Sequence, residues 1–160
     1  GSDVMVCAQT GSGKTLMFLL PILQQLIDRT PKDPCGIEAL VLAPTDQLAM
    51  QVASVARTLC SSLQDAPSFD SSDSKPRPRA APRLLIGTPT WAVKRLSLHG
   101  TSVVDSLRSL QMIAVDEADA LLCSPTSDCE KHQDFERHAA DELLGLRGEA
   151  QVLLTMAHLS

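Results

Sequence analysis

Short apolar runs alternate with longer amphipathic stretches along most of the chain. Each run has the length and the apolar or β-branched content of a buried strand, and Gly, Pro or Asp stands at its ends. These runs are Val4–Cys7, residues 38–43, residues 83–86 and Met112–Val115, with residues 152–154 as a candidate fifth. The spacing of the runs leaves room for a helix between successive strands.

Two of the intervening stretches carry apolar residues three and four positions apart, as on one face of a helix. In Lys14–Asp28 the predicted face consists of Leu16, Leu19, Leu20, Leu23 and Ile27. In residues 47–63 it consists of Met50, Val55, Leu59 and Leu63. Strands that alternate with helices imply right-handed crossovers, so we predict an α/β fold with a mostly parallel sheet covered by helices on both faces.

Residues 64–82 differ in composition from the rest of the chain. They are rich in Ser, Asp, Pro and Arg and contain almost no apolar side chains. Such a segment buries too little surface to offset the entropy of ordering, so we predict a flexible loop. Its basic second half, with Lys75, Arg77, Arg79 and the adjoining Arg83, is more typical of a solvated loop than of an RNA site.

Composition restricts the classes of function. A length of 160 residues suits one domain, and aromatic residues are only 2% of the chain, with no Tyr and one Trp. This scarcity argues against modules that bind nucleic acid by stacking bases on aromatic side chains. The formal charge of −5 gives no global attraction to a polyanion.

The cysteines and the apolar runs bear on the compartment. Five cysteines at irregular spacing do not form a disulfide framework, which favours a reducing intracellular compartment. No apolar run approaches the roughly 18 residues that cross a bilayer, so we expect no membrane association. Nucleus, cytoplasm and organelle are not distinguished, and we expect a monomer.

Residues 8–15 follow the first predicted strand and open the first predicted helix, the context that a phosphate-binding loop requires. They are Ala8, Gln9, Thr10, Gly11, Ser12, Gly13, Lys14 and Thr15. The two glycines let successive amides point at phosphate oxygens, and the helix N-terminus adds its unsatisfied N–H groups. Lys14 supplies a cation to the β- and γ-phosphates and Thr15 a hydroxyl to Mg²⁺, which predicts ATP and Mg²⁺ as cofactors.

An acidic motif, Asp-Glu-Ala-Asp at residues 116–119, follows the strand Met112–Val115. Parallel sheets bind ligands at the carboxyl ends of their strands, which is also where the phosphate loop lies. Asp116 is suited to hold the water shell of Mg²⁺, and Glu117 to orient or deprotonate an attacking water. We therefore predict Glu117, Asp116 and Lys14 as the catalytic residues, with Thr15 and Asp116 as the metal site.

Four motifs together resemble those of the DEAD-box RNA helicases in order and rough spacing. They are residues 8–15, Pro-Thr-Asp-Gln-Leu-Ala at 44–49, Gly-Thr-Pro at 87–89 and Val-Asp-Glu-Ala-Asp at 115–119. The resemblance spans nearly the whole chain and implies a RecA-like P-loop NTPase lobe that, with a second lobe, uses ATP to separate RNA duplexes. It also implies that Pro44, Thr45, Thr88 and Pro89 lie along RNA.

The chain departs from the family pattern where RNA and the second lobe are contacted. Asp46 replaces the arginine of the second motif, and Thr90-Trp91 replaces Gly-Arg after Pro89. In the family, the Ser and Thr hydroxyls of a Ser-Ala-Thr motif contact the acidic motif and link ATP hydrolysis to unwinding. Here the aligned residues are Met156-Ala157-His158. By resemblance, Asp119 and His158 would couple the two lobes. Met156 cannot replace the family's serine in this role, because it has no hydroxyl.

The resemblance also places an adenine-recognising motif before residue 1 and a second lobe after Ser160, so we expect residues 1–160 to be one lobe that is incomplete at both ends. Its isolated activity should be negligible. The leading hypothesis is the ATP-binding lobe of an RNA-dependent ATPase that unwinds or remodels RNA or RNA–protein complexes. The alternative is a degenerate relative that binds nucleotide but acts as an assembly or scaffold factor. The RNA target and the pathway stay open.

Two further features have ordinary structural interpretations. Cys123, Cys129, His132 and His138 lie close in sequence, but their spacing matches no zinc-ribbon or zinc-finger pattern, which favours an exposed loop and helix. Trp91 could stack on a base. We instead predict that it packs, partly buried, against the sheet.

Overall fold

The computed structural model describes residues 2–9, 11–30, 36–63, 66–73, 82–97, 102–122 and 131–157, with the side chains of 131–133 excepted. The strands in this part of the chain are β1 (Val4–Cys7), β2 (Ala39–Leu42), β3 (Phe69–Ser71), β4 (Leu84–Gly87), β5 (Met112–Val115) and β6 (Gln151–Met156). The helices are α1 (Lys14–Asp28), α2 (Asp46–Ser61), α3 (Pro89–Leu96), α4 (Val103–Ser106), α5 (Ala118–Leu122) and α6 (Lys131–Gly145). No helix in these ranges is long and apolar enough to span a bilayer.

The strands form one sheet in the order β1-β6-β5-β2-β4-β3, and every neighbouring pair is parallel. All residues of β2, β4 and β5 are buried, as expected for strands covered on both faces. The edge strand β1 is largely exposed. The predicted α/β class with a parallel sheet is confirmed.

Side chains of the central strands alternate between two apolar cores. In β2, Leu40 and Leu42 pack with residues of α3, α5 and α6, whereas Ala39 and Val41 pack with residues of α1 and α2. The two-residue period of the strand therefore distributes its side chains to both faces. The helices cover both faces of the sheet, as predicted.

The predicted apolar face of α1 is partly wrong. Leu19 and Leu23 are buried, but Leu16, Leu20 and Ile27 are 41%, 52% and 38% exposed. The buried face consists of Phe18, Leu19, Ile22, Leu23 and Leu26. Because α1 is apolar around most of its circumference, spacing alone fits two neighbouring faces, and packing against the sheet selects one.

Helix α2 corrects the prediction in a similar way. Its buried residues are Ala49, Val52, Ala53 and Ala56, whereas Met50 is 48% and Leu63 is 39% exposed. Val55 and Leu59 pack at the margin of the core. Small side chains let the helix approach the sheet closely, so the larger apolar residues are not the ones at its centre.

The loop prediction for residues 64–82 is wrong at Phe69–Ser71, which form strand β3 beside β4. Asp70 is buried but pairs with Arg95 of α3, at 2.7 Å between Oδ2 and Nε. Beyond the strand, hydrogen bonds from the Arg57 guanidinium and the Ser71 hydroxyl hold the pKa of the Asp73 carboxyl below its usual value. The carboxylates of Asp70 and Asp73 both have an arginine partner, which an apolar count cannot reveal. Residues 74–81 lie outside the described part.

Arg83 belongs to the fold rather than to an exposed basic run. It pairs with the carboxylate of Glu38, which is 2% exposed, and donates to the carbonyls of Leu26 and Arg29 at the C-terminal end of α1. Glu38 precedes β2 and Arg83 precedes β4, so the pair lies at the amino ends of the strands. This edge is opposite to the one where the phosphate loop emerges.

Candidate phosphate-binding site

The parallel sheet brings the phosphate loop and the acidic motif to one edge. The loop follows β1 and Asp116 follows β5, and only β6 separates these strands. Thr155 of β6 is in register with Val6 of β1, and Leu154 is in register with Val115 of β5. The carboxyl end of β6 is therefore placed between the two predicted halves of the site.

The glycines of the loop have the conformation that the prediction required. Gly11 has a φ of 83° and Gly13 a φ of 85°, values that favour glycine over every other residue. An atom placed at the Cβ position of either glycine would meet nothing within 4 Å, so the loop faces open space. The backbone N–H of Ser12 donates to the Gln9 carbonyl at 3.2 Å and closes the turn. Thr10 lies outside the described residues.

Helix α1 begins without a side-chain cap. Gly13 is its N-cap residue, and no side chain accepts a hydrogen bond there, nor does the first turn contain an acidic residue. Ser, Thr, Asp and Asn are the preferred residues at this position, because their side chains accept from these amides. The N-terminus of α1 therefore keeps both its N–H groups and its positive dipole end available to an anion.

Lys14, the first residue of α1, is held at this edge. Its side chain is largely buried, and Nζ donates to the Ala8 carbonyl at 2.6 Å and to the Met156 carbonyl at 3.3 Å. These are neutral acceptors, so the ammonium group has no carboxylate partner among the described residues. An incoming phosphate would give it a stronger, charge-assisted partner.

The first two residues of the acidic motif differ in what fixes them: hydrogen bonds hold the Asp116 side chain, and Glu117 has an unusual backbone conformation. Asp116 is 8% exposed, and its Oδ1 accepts hydrogen bonds from the Thr155 hydroxyl at 2.5 Å and from the Glu117 N–H at 3.2 Å. Glu117 has a φ of 50°, the one positive value at a non-glycine residue in the described ranges. A left-handed backbone at this residue is uncommon and is characteristic of functional turns.

Thr155 is a site residue that sequence reasoning missed. It is 1% exposed, and its hydroxyl both donates to Asp116 and accepts from the Glu117 N–H at 3.3 Å. The family resemblance indicates Met156 and His158 instead. The available signal was a lone hydroxyl within an apolar strand that ends at the phosphate edge.

Asp119 contacts the end of β6 through the backbone. Its Oδ2 accepts from the Ala157 N–H at 3.3 Å, and its Oδ1 is buried without a donor among the described residues. His158, predicted to share the coupling role, lies outside those residues. This hydrogen bond joins the acidic motif to the residue just beyond β6, and the coupling role of Asp119 stays a prediction.

The residues present fit a magnesium–nucleotide group. The loop faces open space, the α1 amides have no side-chain cap, and Lys14 has only neutral partners. Thr15 follows Lys14 on the first turn, and the Asp116 carboxylate is across one strand. Oxygen ligands of this kind are those that Mg²⁺ prefers beside phosphates.

The predicted RNA-contacting residues lie at the same edge, just after the neighbouring strands β2 and β4. Thr45 accepts a hydrogen bond from the Leu48 N–H and caps α2, and Thr88 accepts one from the Trp91 N–H and caps α3. Thr45 is exposed and Pro44 half-buried, whereas Thr88 and Pro89 are buried. Contact with RNA at the second pair would therefore involve the backbone more than the side chains.

The two substitutions at this edge have different surroundings. Asp46 is exposed on the first turn of α2, where its charge faces solvent. Trp91 is half-buried against the core, and its ring lies over Gly87 at the end of β4. The prediction that Trp91 packs against the sheet is confirmed.

The cysteines and histidines for which zinc binding is disfavoured lie mostly outside the described residues. Cys123 and Cys129 lie outside the described ranges, as does the side chain of His132. Within those ranges, no three His, Cys, Asp or Glu side chains are grouped to hold a metal ion.

The strand order, the glycine loop after the first strand and the acidic strand end define a RecA-like lobe of the P-loop class. Residues 1–154 match the family model described as DEAD/DEAH box helicase, and the chain belongs to this family. It is 37% identical over 129 residues to the ATP-dependent RNA helicase dbp8 of Botryotinia fuckeliana. That match covers 78% of this chain but 23% of the relative, so the chain spans about a quarter of its length.

Solved structures support the fold. A DEAD box protein from the hyperthermophile Methanococcus jannaschii matches 100% of this chain and 40% of its own, with a TM-score of 0.71 and 22% identity. Mss116p, bound to single-stranded RNA and AMP-PNP, matches 99% of this chain and 32% of its own, with a TM-score of 0.76 and 24% identity. The RecA-like fold predicted from the motifs is confirmed.

Proposed function

We propose that this lobe binds ATP with Mg²⁺ and that, joined to a second lobe, it is the ATP-binding half of an RNA-dependent ATPase that unwinds or remodels RNA or RNA–protein complexes. The observation that carries the proposal is the uncapped N-terminus of α1 with Lys14 beside it, one strand away from Asp116. This is a cationic, amide-lined edge next to a buried carboxylate, as a magnesium–phosphate group requires.

The roles of the residues follow from their positions. The loop amides from Ala8 to Thr15 cradle the β-phosphate, and Lys14 exchanges its carbonyl partners for phosphate oxygens. Thr15 and Asp116 hold Mg²⁺, in part through water, and the metal neutralises charge on the phosphates. Glu117 orients the attacking water, and its fixed left-handed backbone sets the direction of its side chain.

RNA is the proposed partner at the capped N-termini of α2 and α3. Relatives of this chain carry the name RNA helicase, and Mss116p is bound to single-stranded RNA. Exposed Thr45 and the backbone at Thr88 are suited to phosphate oxygens, because helix N-termini attract anions. These contacts position RNA without reading its sequence.

Lys14→Ala tests the nucleotide site. We expect the variant to lose measurable ADP binding in calorimetry with Mg²⁺, because the loop then lacks its cation. Lys94→Ala is the matched control, since it removes the same charge from an exposed position on α3. Affinity that is equal in the parent and in Lys14→Ala would refute the assignment.

One observation favours the alternative, a nucleotide-binding assembly factor that does not unwind. Asp46 places an exposed carboxylate on the first turn of α2, at the proposed RNA edge, where it repels phosphate. The two functions differ in one measurement on the complete two-lobe protein. An RNA-dependent ATPase hydrolyses ATP faster when single-stranded RNA is added, whereas the assembly factor does not respond.

A further inference from the structure

We propose that Thr155 is a positioning residue for metal binding, and that its hydroxyl fixes the Asp116 carboxylate in the orientation that receives Mg²⁺. The inference rests on the proposed nucleotide function and extends it to a residue outside the four motifs. Thr155 is not one of the residues aligned with the Ser-Ala-Thr of the family; it precedes them.

The two carboxylate oxygens of Asp116 differ in the hydrogen bonds that they accept. Oδ1 accepts from the Thr155 hydroxyl at 2.5 Å and from the Glu117 N–H at 3.2 Å. No donor to Oδ2 is found in the part of the chain that the structure describes. Oδ2 is therefore the oxygen that retains its acceptor capacity for a metal-bound water.

The same hydroxyl also fixes Glu117. It accepts from the Glu117 N–H at 3.3 Å, at the residue with a φ of 50°. A hydroxyl supplies one proton and two lone pairs, so Thr155 donates to one acidic residue and accepts from the next. Valine has nearly the same shape but supplies neither contact.

The position of Thr155 makes this arrangement rigid. It lies on β6, between β1 and β5, and is 1% exposed. A buried hydrogen bond to a carboxylate is stronger than one in water. Partners that orient a metal ligand in this way affect metal affinity by about 10–100-fold.

The test measures ADP binding by calorimetry over a series of Mg²⁺ concentrations, and again in excess EDTA. For Thr155→Val, the Mg²⁺ concentration that gives half of the maximal increase in ADP affinity should rise about 10–100-fold. ADP affinity in EDTA should equal that of the parent, because the loop and Lys14 are untouched. Thr155→Ser, which keeps the hydroxyl, should restore the parent's Mg²⁺ dependence.

Thr58→Val is the matched control, since the exposed Thr58 hydroxyl donates only to the Ser54 carbonyl on α2. It should leave the Mg²⁺ dependence unchanged. Electron paramagnetic resonance of Mn²⁺ bound together with ADP provides a second readout. The valine variant should release Mn²⁺ at a lower concentration of a competing metal ion than the parent does. Thermal unfolding of each variant verifies that it is folded.

The outcomes separate this inference from the function on which it rests. If the parent does not bind ADP at all, the proposed function and the inference both fail. If the parent binds ADP with Mg²⁺ and Thr155→Val has the same or a tighter Mg²⁺ dependence, the inference alone is overturned. A serine variant that behaves like valine would also overturn it, because the hydroxyl would then not be the active group.

Discussion

Gly87→Ala tests how closely Trp91 packs on the strand that ends at the proposed RNA edge. Gly87 is the last residue of β4, and Trp91 lies one turn into α3. A Cβ at residue 87 would lie 2.2 Å from Trp91 Cε3 and 2.8 Å from Cζ3. Ordinary contacts of this kind are longer than 3.4 Å. The ring or the strand therefore has to move.

The cost follows from the size of this overlap. Overpacking a well-packed core by a methyl group costs about 1–3 kcal/mol. For a domain of this length, each kcal/mol lowers the melting temperature by about 2–4 °C, so we expect a decrease of about 2–12 °C. Displacing the ring also exposes it to water.

Fluorescence reports this displacement directly, because Trp91 is the single tryptophan and the chain has no tyrosine. We expect the emission of Gly87→Ala to shift to longer wavelength. Gly145→Ala is the control, since a Cβ there meets nothing within 4 Å. In a Trp91→Ala background, Gly87→Ala should cost little, which makes the two changes strongly coupled. An unchanged melting temperature and spectrum for Gly87→Ala would refute this packing.

Two further predictions concern RNA and catalysis. Asp46→Arg should tighten RNA binding by the complete two-lobe protein roughly ten-fold or more at moderate salt, because it changes the charge by two units worth on the order of 1 kcal/mol each. The gain in RNA affinity should shrink as salt rises. The lobe itself should lose about 1 kcal/mol of stability, because an anion at the N-terminus of α2 is replaced by a cation. A titration that shows no gain at low salt would mean that Asp46 does not lie at the RNA edge. Residues 1–160 alone should turn over ATP negligibly, because an arginine finger, expected on the second lobe, is worth about 10³–10⁵ in rate. Robust hydrolysis by the lobe that Glu117→Gln abolishes would contradict this.

Local pattern was sufficient for the elements that determine the fold class. The bounds of β1, α1 and β5 agree with the sequence prediction, because each run is rich in apolar residues and has a glycine or a charged residue next to at least one end. The glycine loop was recognised from residue types, since few residues other than glycine adopt a positive φ without strain. The backbone preferences of single residues and the short-range spacing of apolar residues are sufficient to predict such features.

Tertiary packing decided the rest. Which face of α1 is buried depends on the sheet beneath it, because Leu16 and Leu20 are as apolar as Leu19 and Leu23. Strand β3 forms although its sequence is largely polar, and its buried Asp70 is paired with Arg95 of α3. These partners are distant in sequence, and no local pattern links them.

The sequence by itself determined that residues 8–15 and 116–119 lie at a common edge of the sheet, because the parallel strands that precede them end there. Only the tertiary structure decided which side chain fixes the Asp116 carboxylate at this edge. Thr155 looks ordinary in the sequence, yet β6 lies between β1 and β5 and sets its hydroxyl against Asp116. The order of strands in a sheet depends on long-range pairing, whereas a motif depends only on its own residues.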